Sequence, residues 1–572
     1  MNLKKLFQKP EFGFYEKRLC VLLFISGASN VFMPLQSLVN QFTPDYRCDV
    51  TEFKRNTTKQ AETLDRLTDK EWNDLFLNLT IPYENKEPDV YERSSCKQYN
   101  ILPDDLLNVV ASNDTQLSSR PTISCSAYEF NGDARSIVTE FGLVCDQAWK
   151  KPIFTSIFMG GMVTSGIIHG LISDRFGRRI AFMLFLIGQF VIALLTSFVS
   201  SLALYGTAMF MSGIFSLSSF SASVVLGSEF VCPELRSLTY FSIGVGYSFG
   251  YMAMGAVMYF FQDWRWFLRV FALSGIVYIP YFWLVDETPL WLAAKGKVEQ
   301  LQKIINKIAR INKWESKRRD EMKQLLTSRS LAESSSKVCM ETARHPKMLG
   351  RLIIAAFSWF VASLTYYALA LNGSSLSANR FLNVFYGGVA ELAGLLLFYM
   401  VVDSKGRRTS YMVIMGLCGI GVAVAPFIEN GTLLSVLTMS SKILVTAAFA
   451  LIFMYVGEFF PTPARQSFTG VCFSSARVGG TIAPFVIYAG ENGEIIIPSL
   501  VMAGIILLST ASYAFLPETR KERLPQNVEE SIKMNGLIEI TCCYNNIDDD
   551  DKQSRLNDKT NNPEKFQQDC EI

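Results

Sequence analysis

Stretches of mainly apolar residues alternate along the chain with shorter polar segments. Each stretch is about 20 residues long, which is the length an α-helix needs to cross the hydrocarbon core of a bilayer. The apolar runs fall near residues 19–41, 152–172, 180–200, 202–227, 238–260, 266–285, 350–371, 380–402, 410–428, 433–457, 467–490 and 495–516. This pattern predicts an all-α membrane protein with twelve transmembrane helices.

A short charged sequence occurs twice, each time directly after an apolar run. Residues 174–179 read DRFGRR and residues 403–408 read DSKGRR, so the two copies lie 229 residues apart. A charged stretch at 286–349 separates the first six runs from the last six. The recurrence indicates an internal duplication. We therefore expect two pseudo-symmetric six-helix bundles, called here the first half and the second half.

The composition fits a membrane protein. Of 572 residues, 49% are hydrophobic and only 19% are charged, against about 25% charged in soluble domains. The net charge of +2 gives no reason to expect a nucleic-acid partner. The sequence contains no phosphate-binding loop, metal-ligand spacing or nucleophile motif, so we expect neither an enzyme nor a cofactor.

Basic residues lie on one side of the twelve-helix arrangement. They include Lys4, Lys5 and Lys9 near the N-terminus, both repeated loops, and nine lysines and arginines between residues 295 and 319. Loops rich in lysine and arginine face the cytoplasm. With an even number of crossings, both termini are expected to be cytoplasmic in a multi-pass protein of the plasma membrane.

The long polar segment 43–149 is then expected to be extracellular. It carries three N-glycosylation patterns and four cysteines, and an even cysteine count in an oxidising compartment predicts two disulfides. Four cysteines allow three pairings, and the sequence does not choose among them. The residues are Asn56, Asn78 and Asn113 for glycosylation, and Cys48, Cys96, Cys125 and Cys145 for the disulfides.

These observations predict five segments. They are a cytoplasmic N-terminus (1–18), a first bundle with its extracellular loop (19–285), a cytoplasmic central loop with amphipathic helices (286–349), a second bundle (350–516) and a cytoplasmic tail (517–572). Within the central loop, Leu301, Ile305 and Ile308 recur at helical spacing. The tail is polar and acidic, and is expected to be largely disordered.

Four further motifs point to one family. They are SIVTEFGLVCD at 136–146, ETPLWL at 287–292, EFFPTPAR at 458–465 and LPET at 516–519. With the two repeated loops, these motifs resemble the organic cation, organic anion and carnitine transporter family of the major facilitator superfamily, over residues 14 to 526. The chain departs from the family pattern at Leu290 and near Met209, where the family usually has arginine.

The resemblance implies transport by alternating access, in which two bundles rock about a central site. The repeated loops are predicted to contribute charged contacts to the gate. A further repeat supports this, because a glutamate precedes an arginine by seven residues in each half. The alternative is that the bases only determine topology. The predicted gating residues are Asp174, Arg175, Gly177, Arg178, Arg179, Glu229, Arg236, Asp403, Gly406, Arg407, Arg408, Glu458 and Arg465.

Ionisable residues inside apolar runs cost roughly 2.5–3.5 kcal/mol each on insertion, so they are candidates for function. Glu391, Lys442 and Arg477 are such residues. The resemblance implies that Glu391 occupies the acidic position of cation and carnitine carriers, and Arg477 the basic position of anion and carnitine carriers. The alternative is that these charges only neutralise one another. The resemblance also implies that Trp359, Tyr366 and Phe381 line the cavity.

The sequence therefore predicts a carrier of small organic ions, most consistent with organic cations or carnitine-like zwitterions. An organic anion carrier is the alternative that Arg477 favours and Glu391 opposes. A non-transporting receptor with the same fold is a further alternative, which saturable uptake would distinguish. The expected partners are the small organic ion, the lipid bilayer and a co-transported ion such as sodium or a proton.

Overall fold

The computed structural model describes residues 13–534, apart from 50–76, 78–79, 88–89, 101–120, 133, 232–235, 314–343, 373–379, 403–405, 462–463, 492–495, 521–524 and 526–527. Several predictions lie outside the described residues. They are the glycosylation patterns at Asn56, Asn78 and Asn113, the repeated-loop residue Asp403, and the tail beyond residue 534.

Helices of very different lengths account for the apolar runs of the first half. They are α1 (Phe14–Ser29), α2 (Ser37–Asn40), α4 (Lys150–Phe176), α5 (Arg178–Thr196), α6 (Leu202–Phe230), α7 (Arg236–Phe260), α8 (Trp264–Ser274) and α9 (Tyr281–Leu284). A 3₁₀ turn, Gly275–Tyr278, lies between α8 and α9, and the three pieces make one crossing. The short α3 (Ile137–Phe141) precedes α4.

The second half repeats this arrangement after two short helices, α10 (Pro289–Ala294) and α11 (Val298–Ile311). Its crossings are α12 (Pro346–Asn372), α13 (Arg380–Val402), α14 (Arg407–Val424), α15 (Gly431–Phe459), α16 (Arg465–Glu491) and α17 (Ile496–Ser512). A last helix, α18, spans Val528–Lys533. Eleven elements among the described residues are long and apolar enough to cross a membrane.

The first apolar run differs from the prediction, because it is interrupted. Residues 30–36 form turns between α1 and α2, so neither helix alone reaches the length of a span. Pro34 lies in this stretch and has no backbone N–H to donate to the helix, which explains the break. The predicted single helix over 19–41 is therefore two helices joined by a turn.

Helices within each half pack closely through small residues. In the first half, α4 crosses α6 where Gly161 faces Gly213, and a methyl group on Gly161 would overlap the carbonyl oxygen of Phe210. The two halves meet along two helix pairs, α7 with α13 and α4 with α16. The second contact includes a hydrogen bond from Ser156 Oγ to the carbonyl of Thr481, 2.9 Å long.

The segment between α2 and α4 forms a small β-rich unit, which we call the cap. Three antiparallel pairs are described: β1 (Tyr46–Cys48) with β6 (Tyr128–Phe130), β2 (Tyr83–Glu87) with β3 (Val90–Arg93), and β4 (Lys97–Tyr99) with β5 (Thr122–Ser124). Disulfides join Cys48 to Cys125 and Cys96 to Cys145, which selects one of the three pairings. We call this end of the helices the cap end.

The opposite end carries the turns at Gly177 and Gly406, and we call it the turn end. Here α11 packs below the first half, with Leu301, Ile305 and Ile308 buried. The side chain of Asn312 accepts a hydrogen bond from the backbone N–H of Tyr15 at 2.9 Å. The central segment is thereby attached to the start of α1.

The α4–α6 crossing yields a stability prediction. Gly161→Ala should lower the free energy of unfolding by about 1–3 kcal/mol, because the added methyl group forces the two backbones apart. Gly170→Ala on the same helix is the control, since a Cβ there meets nothing within 4 Å. Apparent melting temperatures of the purified proteins measure both. Equal melting temperatures for parent and Gly161→Ala would contradict the packing.

Candidate functional site

A cavity of about 130 Å³ lies between the two halves. The first half contributes residues from the interrupted first crossing, α4, α6 and α7, and the second half contributes residues from α12, α13, α15 and α16. The lining is mainly apolar and aromatic, with one acidic and one basic side chain, Glu391 and Arg477. Both charges therefore come from the second half.

Glu391 lies on α13 and is 8% exposed. Its Oε2 accepts hydrogen bonds from the hydroxyl of Tyr366 at 3.1 Å and from Thr446 Oγ1 at 3.3 Å. Among the described residues, no base lies within ion-pair distance of Glu391. The carboxyl group is thus oriented by two neutral donors and is not paired with a described base.

Arg477 lies on α16 and is 6% exposed. One guanidinium nitrogen, Nη1, donates to the hydroxyl of Tyr367 at 3.3 Å, and the guanidinium carbon lies 4.4 Å from the centre of the Phe473 ring. Its Nε has no hydrogen-bond partner in the described part of the chain. A buried donor without a partner is costly, so this side chain is suited to an added acceptor.

The predicted alternative, mutual neutralisation of the buried charges, is not seen. No ion pair within 4.0 Å joins Glu391, Arg477 and Lys442 in the described residues. Instead, Lys442 Nζ donates to the hydroxyl of Tyr251 at 2.9 Å and lies 4.3 Å from the centre of that ring. Because Tyr251 is on α7 and Lys442 is on α15, this contact bridges the two halves.

Tyr366 lines the cavity as predicted, but two other predicted aromatic residues do not. Trp359 is fully buried behind the lining, where its ring contacts Phe449 and Phe453. Phe381 lies towards the cap end and packs edge-on against Tyr259, with ring centres 5.6 Å apart. Lys442 is also absent from the lining of the central cavity.

Several lining residues were missed by the sequence analysis. On α7, Tyr240, Gly244 and Tyr247 share one helix face through their spacing, and all three line the cavity. Thr446, Phe449 and Phe453 share one face of α15 in the same way, and Phe473 on α16 lies four residues before the predicted Arg477. Asn30 in the interrupted first crossing also lines it, and both polar atoms of its side chain are unpartnered within the described residues.

At the turn end, the first repeated loop forms a cluster of charged contacts. Arg178 pairs with Asp174 at 2.6 Å and with Glu229 at 3.1 Å. The carboxylate of Glu287 accepts from the backbone N–H groups of Arg178 and Arg179, at 2.9 and 3.1 Å. These are the first N–H groups of α5, which have no partner within the helix. We call this cluster the first clasp.

The second half contains an equivalent cluster, the second clasp. Arg407 pairs with Glu458 at 2.7 Å. Glu518 accepts from the backbone N–H groups of Arg407 and Arg408, at 2.8 and 3.2 Å. Each clasp also has a threonine hydroxyl that donates to the glutamate paired with arginine: Thr288 to Glu229 at 2.6 Å, and Thr519 to Glu458 at 2.5 Å.

Glycine is required in both clasps. Gly177 and Gly406 have φ values of +114° and +98°, which other residues rarely adopt. A Cβ at Gly406 would lie 2.6 Å from Glu518 Oε2, so the carboxylate occupies the space that a side chain would need. Burial raises the pKa of Glu287, while the N–H groups of Thr288, Arg179 and Arg178 oppose that shift.

Other predicted gating residues make local contacts. Arg236 Nε donates to the carbonyl of Ser228 at 3.1 Å, and Arg465 Nη2 donates to the carbonyl of Phe460 at 3.4 Å. The guanidinium of Arg175 lies over the ring of Phe176. The described contacts of each clasp lie within its own half. A gating role for these residues therefore stays a prediction.

Glu518 was not among the predicted gating residues. The signal was present in the sequence, because a Glu-Thr pair follows the last apolar run of each half, at 287–288 and 518–519. Both glutamates cap the helix that follows the glycine turn of their own half. The internal duplication thus extends from sequence to matched hydrogen bonds.

Comparison with known proteins agrees with this geometry. Residues 110–529 match the family model for Sugar (and other) transporter. The chain is 26% identical over 537 residues to the Homo sapiens organic cation/carnitine transporter 2, covering 92% of this chain and 93% of that protein. It is also 26% identical over 531 residues to the Drosophila melanogaster organic cation transporter protein, covering 91% of this chain and 92% of that protein.

A solved structure shows the same fold. The xylose transporter XylE from E. coli, in a partially occluded inward open conformation, aligns with a TM-score of 0.55 and 13% sequence identity, over 88% of this chain and 99% of that chain. Two matched halves around a central cavity define a transmembrane carrier of the major facilitator superfamily. The chain belongs to the sugar (and other) transporter family. This family and the relatives above are transporters and not enzymes.

The clasps predict equal effects in the two halves. Glu287→Gln and Glu518→Gln should each lower the free energy of unfolding by about 1–3 kcal/mol, because neutral amides make weaker bonds to the helix N–H groups. Thermal unfolding of the purified protein is the measurement. Glu429→Gln, at an exposed acid in the second half, serves as control. If the control is as destabilising as Glu518→Gln, the capping role is wrong.

Proposed function

We propose that the protein carries small organic ions with a positively charged nitrogen, either organic cations or carnitine-like zwitterions. The observation that carries this proposal is the pair of opposite charges, Glu391 and Arg477, which face one cavity without pairing to each other. A zwitterion offers a partner for each charge. The names of the relatives, organic cation/carnitine transporter 2 and organic cation transporter protein, support the same substrate class.

The ammonium end fits beside Glu391. Tyr366, whose hydroxyl donates to Glu391, lines the cavity together with Tyr247 and Phe449. A cation over an aromatic ring gains about 0.5–2 kcal/mol, more when water is excluded. A quaternary ammonium cannot donate a hydrogen bond. The negative charge of a carboxylate and the faces of aromatic rings therefore suit it better than neutral hydrogen-bond acceptors would.

The carboxylate end fits beside Arg477. Its unpartnered Nε and the Tyr367 hydroxyl provide donors on the same side of the cavity. Hydrogen bonds to charged groups contribute about 1.5–3 kcal/mol each. A simple cation would use only the Glu391 side, and Arg477 would then repel it, so a zwitterion makes fuller use of the site.

Transport requires the cavity to open alternately towards each end. We propose that the clasps brace the turn end of each half during this motion, with the turn end and both termini in the cytoplasm and the cap outside a plasma membrane. A cation entering the cell gains about 2.3 kcal/mol per 100 mV of membrane potential. A zwitterion gains nothing from the potential alone, so its uphill uptake needs a co-transported ion such as sodium or a proton.

An organic anion carrier is the second candidate. The positive Arg477 and the basic contact Lys442–Tyr251 near the cavity favour it. Glu391 opposes it, because its carboxylate would repel an anion in a site of low dielectric. A non-transporting receptor with this fold is distinguished by the absence of saturable uptake.

Uptake of labelled carnitine and of labelled tetraethylammonium tests the assignment of the two charges. Glu391→Gln should reduce uptake of both compounds by about tenfold or more, because both lose the partner of their ammonium group. Arg477→Ala should reduce carnitine uptake to a similar extent and leave tetraethylammonium uptake equal or higher. Surface-expressed protein is quantified for each variant.

Conservative variants serve as controls for that experiment. Glu391→Asp and Arg477→Lys keep the charge and should retain more carnitine uptake than Glu391→Gln and Arg477→Ala. If Glu391→Gln and Arg477→Ala both transport like the parent, the binding assignment is wrong. Repeating carnitine uptake with and without sodium shows whether sodium is the coupling ion.

The first clasp yields a kinetic prediction. Asp174→Asn should reach the surface but transport several-fold more slowly, because Arg178 loses one of its two carboxylate partners. Initial uptake rates per surface molecule are compared with those of Glu429→Gln, which changes an exposed acid outside the clasps. Unchanged rates for Asp174→Asn would assign the loop a purely topological role.

A further inference from the structure

A second cavity lies between the halves at the cap end, and we call it the vestibule. Its volume is about 260 Å³. The first half lines it from α2, the start of the cap and the first turns of α4. The second half lines it from the end of α12 and the last turns of α16, including Tyr488.

The vestibule contains polar groups without partners. Ser37 is 8% exposed, and its hydroxyl has no hydrogen-bond partner in the described part of the chain. The same holds for Nε2 of Gln41 among these residues, while Oε1 of Gln41 accepts from Thr155 Oγ1 at 3.0 Å. Both free groups are hydrogen-bond donors, and leaving them unpaired away from water costs free energy.

The described lining of the vestibule carries a basic side chain. Lys151 lines it, with Nζ donating to Thr43 Oγ1 at 3.1 Å, and neither Asp nor Glu occurs among its described lining residues. A second cation lies beside the lining, because the guanidinium of Arg380 is 3.9 Å from the centre of the Phe42 ring. Donors and positive charge together favour a ligand that carries a negative group.

The vestibule is separate from the central cavity. Leu38 lines the vestibule on one side and, on the other, a small cavity of about 10 Å³ that also contains Tyr251 and Lys442. The Lys442–Tyr251 bridge lies between that small cavity and the central one, whose lining includes Tyr247 one helical turn away. A ligand in the vestibule therefore occupies a different place from one between Glu391 and Arg477.

We propose that the vestibule is a second binding site, which takes the carboxylate of a small organic molecule. The carboxylate receives donors from Lys151, Ser37 and Gln41, and the apolar lining from Leu38 and Ile487 contacts its carbon chain. The proposal rests on the proposed function only in treating that carboxylate as part of a transported molecule. A zwitterion would then be held at the cap end before it reaches Arg477.

Equilibrium binding of labelled butyrate to the purified full-length protein tests this site without any transport. Arg477→Ala provides a background in which the central cavity has lost its base. In that background, saturable butyrate binding should remain. Adding Lys151→Met should weaken it by about tenfold or more, because a charged hydrogen-bond donor is lost. Adding Lys151→Arg should retain it.

Lys150→Met is the matched control, since Lys150 is the neighbouring base and lies over Trp149 outside the vestibule lining. It should leave butyrate binding unchanged. The proposal is overturned if Arg477→Ala alone abolishes saturable binding, or if Lys150→Met weakens binding as much as Lys151→Met. Melting temperatures show whether each variant is folded.

A transport experiment separates this proposal from the proposed function. Lys151→Met should raise the KM for carnitine several-fold and leave the KM for tetraethylammonium equal or lower, with the maximal rates unchanged. If the parent takes up neither compound, the proposed function is contradicted. Butyrate binding would still test whether the vestibule binds a carboxylate. An equal rise in both KM values would overturn the vestibule as a carboxylate site.

Discussion

The functional account depends on the cost of placing charge inside a membrane. Glu391 and Arg477 are both buried, face the same cavity and do not neutralise each other. Each is held by neutral tyrosine or threonine groups, which orient the charge without cancelling it. A protein that keeps such charges unpaired accepts a stability cost, and a ligand with both signs of charge offsets that cost on binding.

The duplicated clasps join the helices of each half at the turn end. In each half, a glycine turn with positive φ lets a distant glutamate cap the next helix, while an arginine of that helix pairs with a second glutamate. These bonds join the start of one helix to the ends of two others within the same half. Each half can then move as a unit, which rocking about a central cavity requires.

The sequence was sufficient for the fold and for part of the site. The eleven spans of the described residues, the duplication and the charges Glu391 and Arg477 followed from apolar runs and from ions that interrupt them, whereas the break in the first run did not. The disulfide pairing did not follow, because cysteine spacing leaves it open. Tyr240 and Phe453 were missed, and Trp359 was placed in the lining, since helix rotation alone decides whether an aromatic residue faces a cavity or a core. Glu518 could be recognised only by comparing its Glu-Thr pair with the equivalent pair at Glu287.

The most direct test of the central claim is a cryo-electron microscopy structure of the protein with bound carnitine. The account predicts density between α13 and α16, with the trimethylammonium group beside Glu391 and the carboxylate within hydrogen-bond distance of Arg477. Density for carnitine in the reverse orientation, or an ion pair between Glu391 and Arg477 that leaves no room for it, would contradict the account.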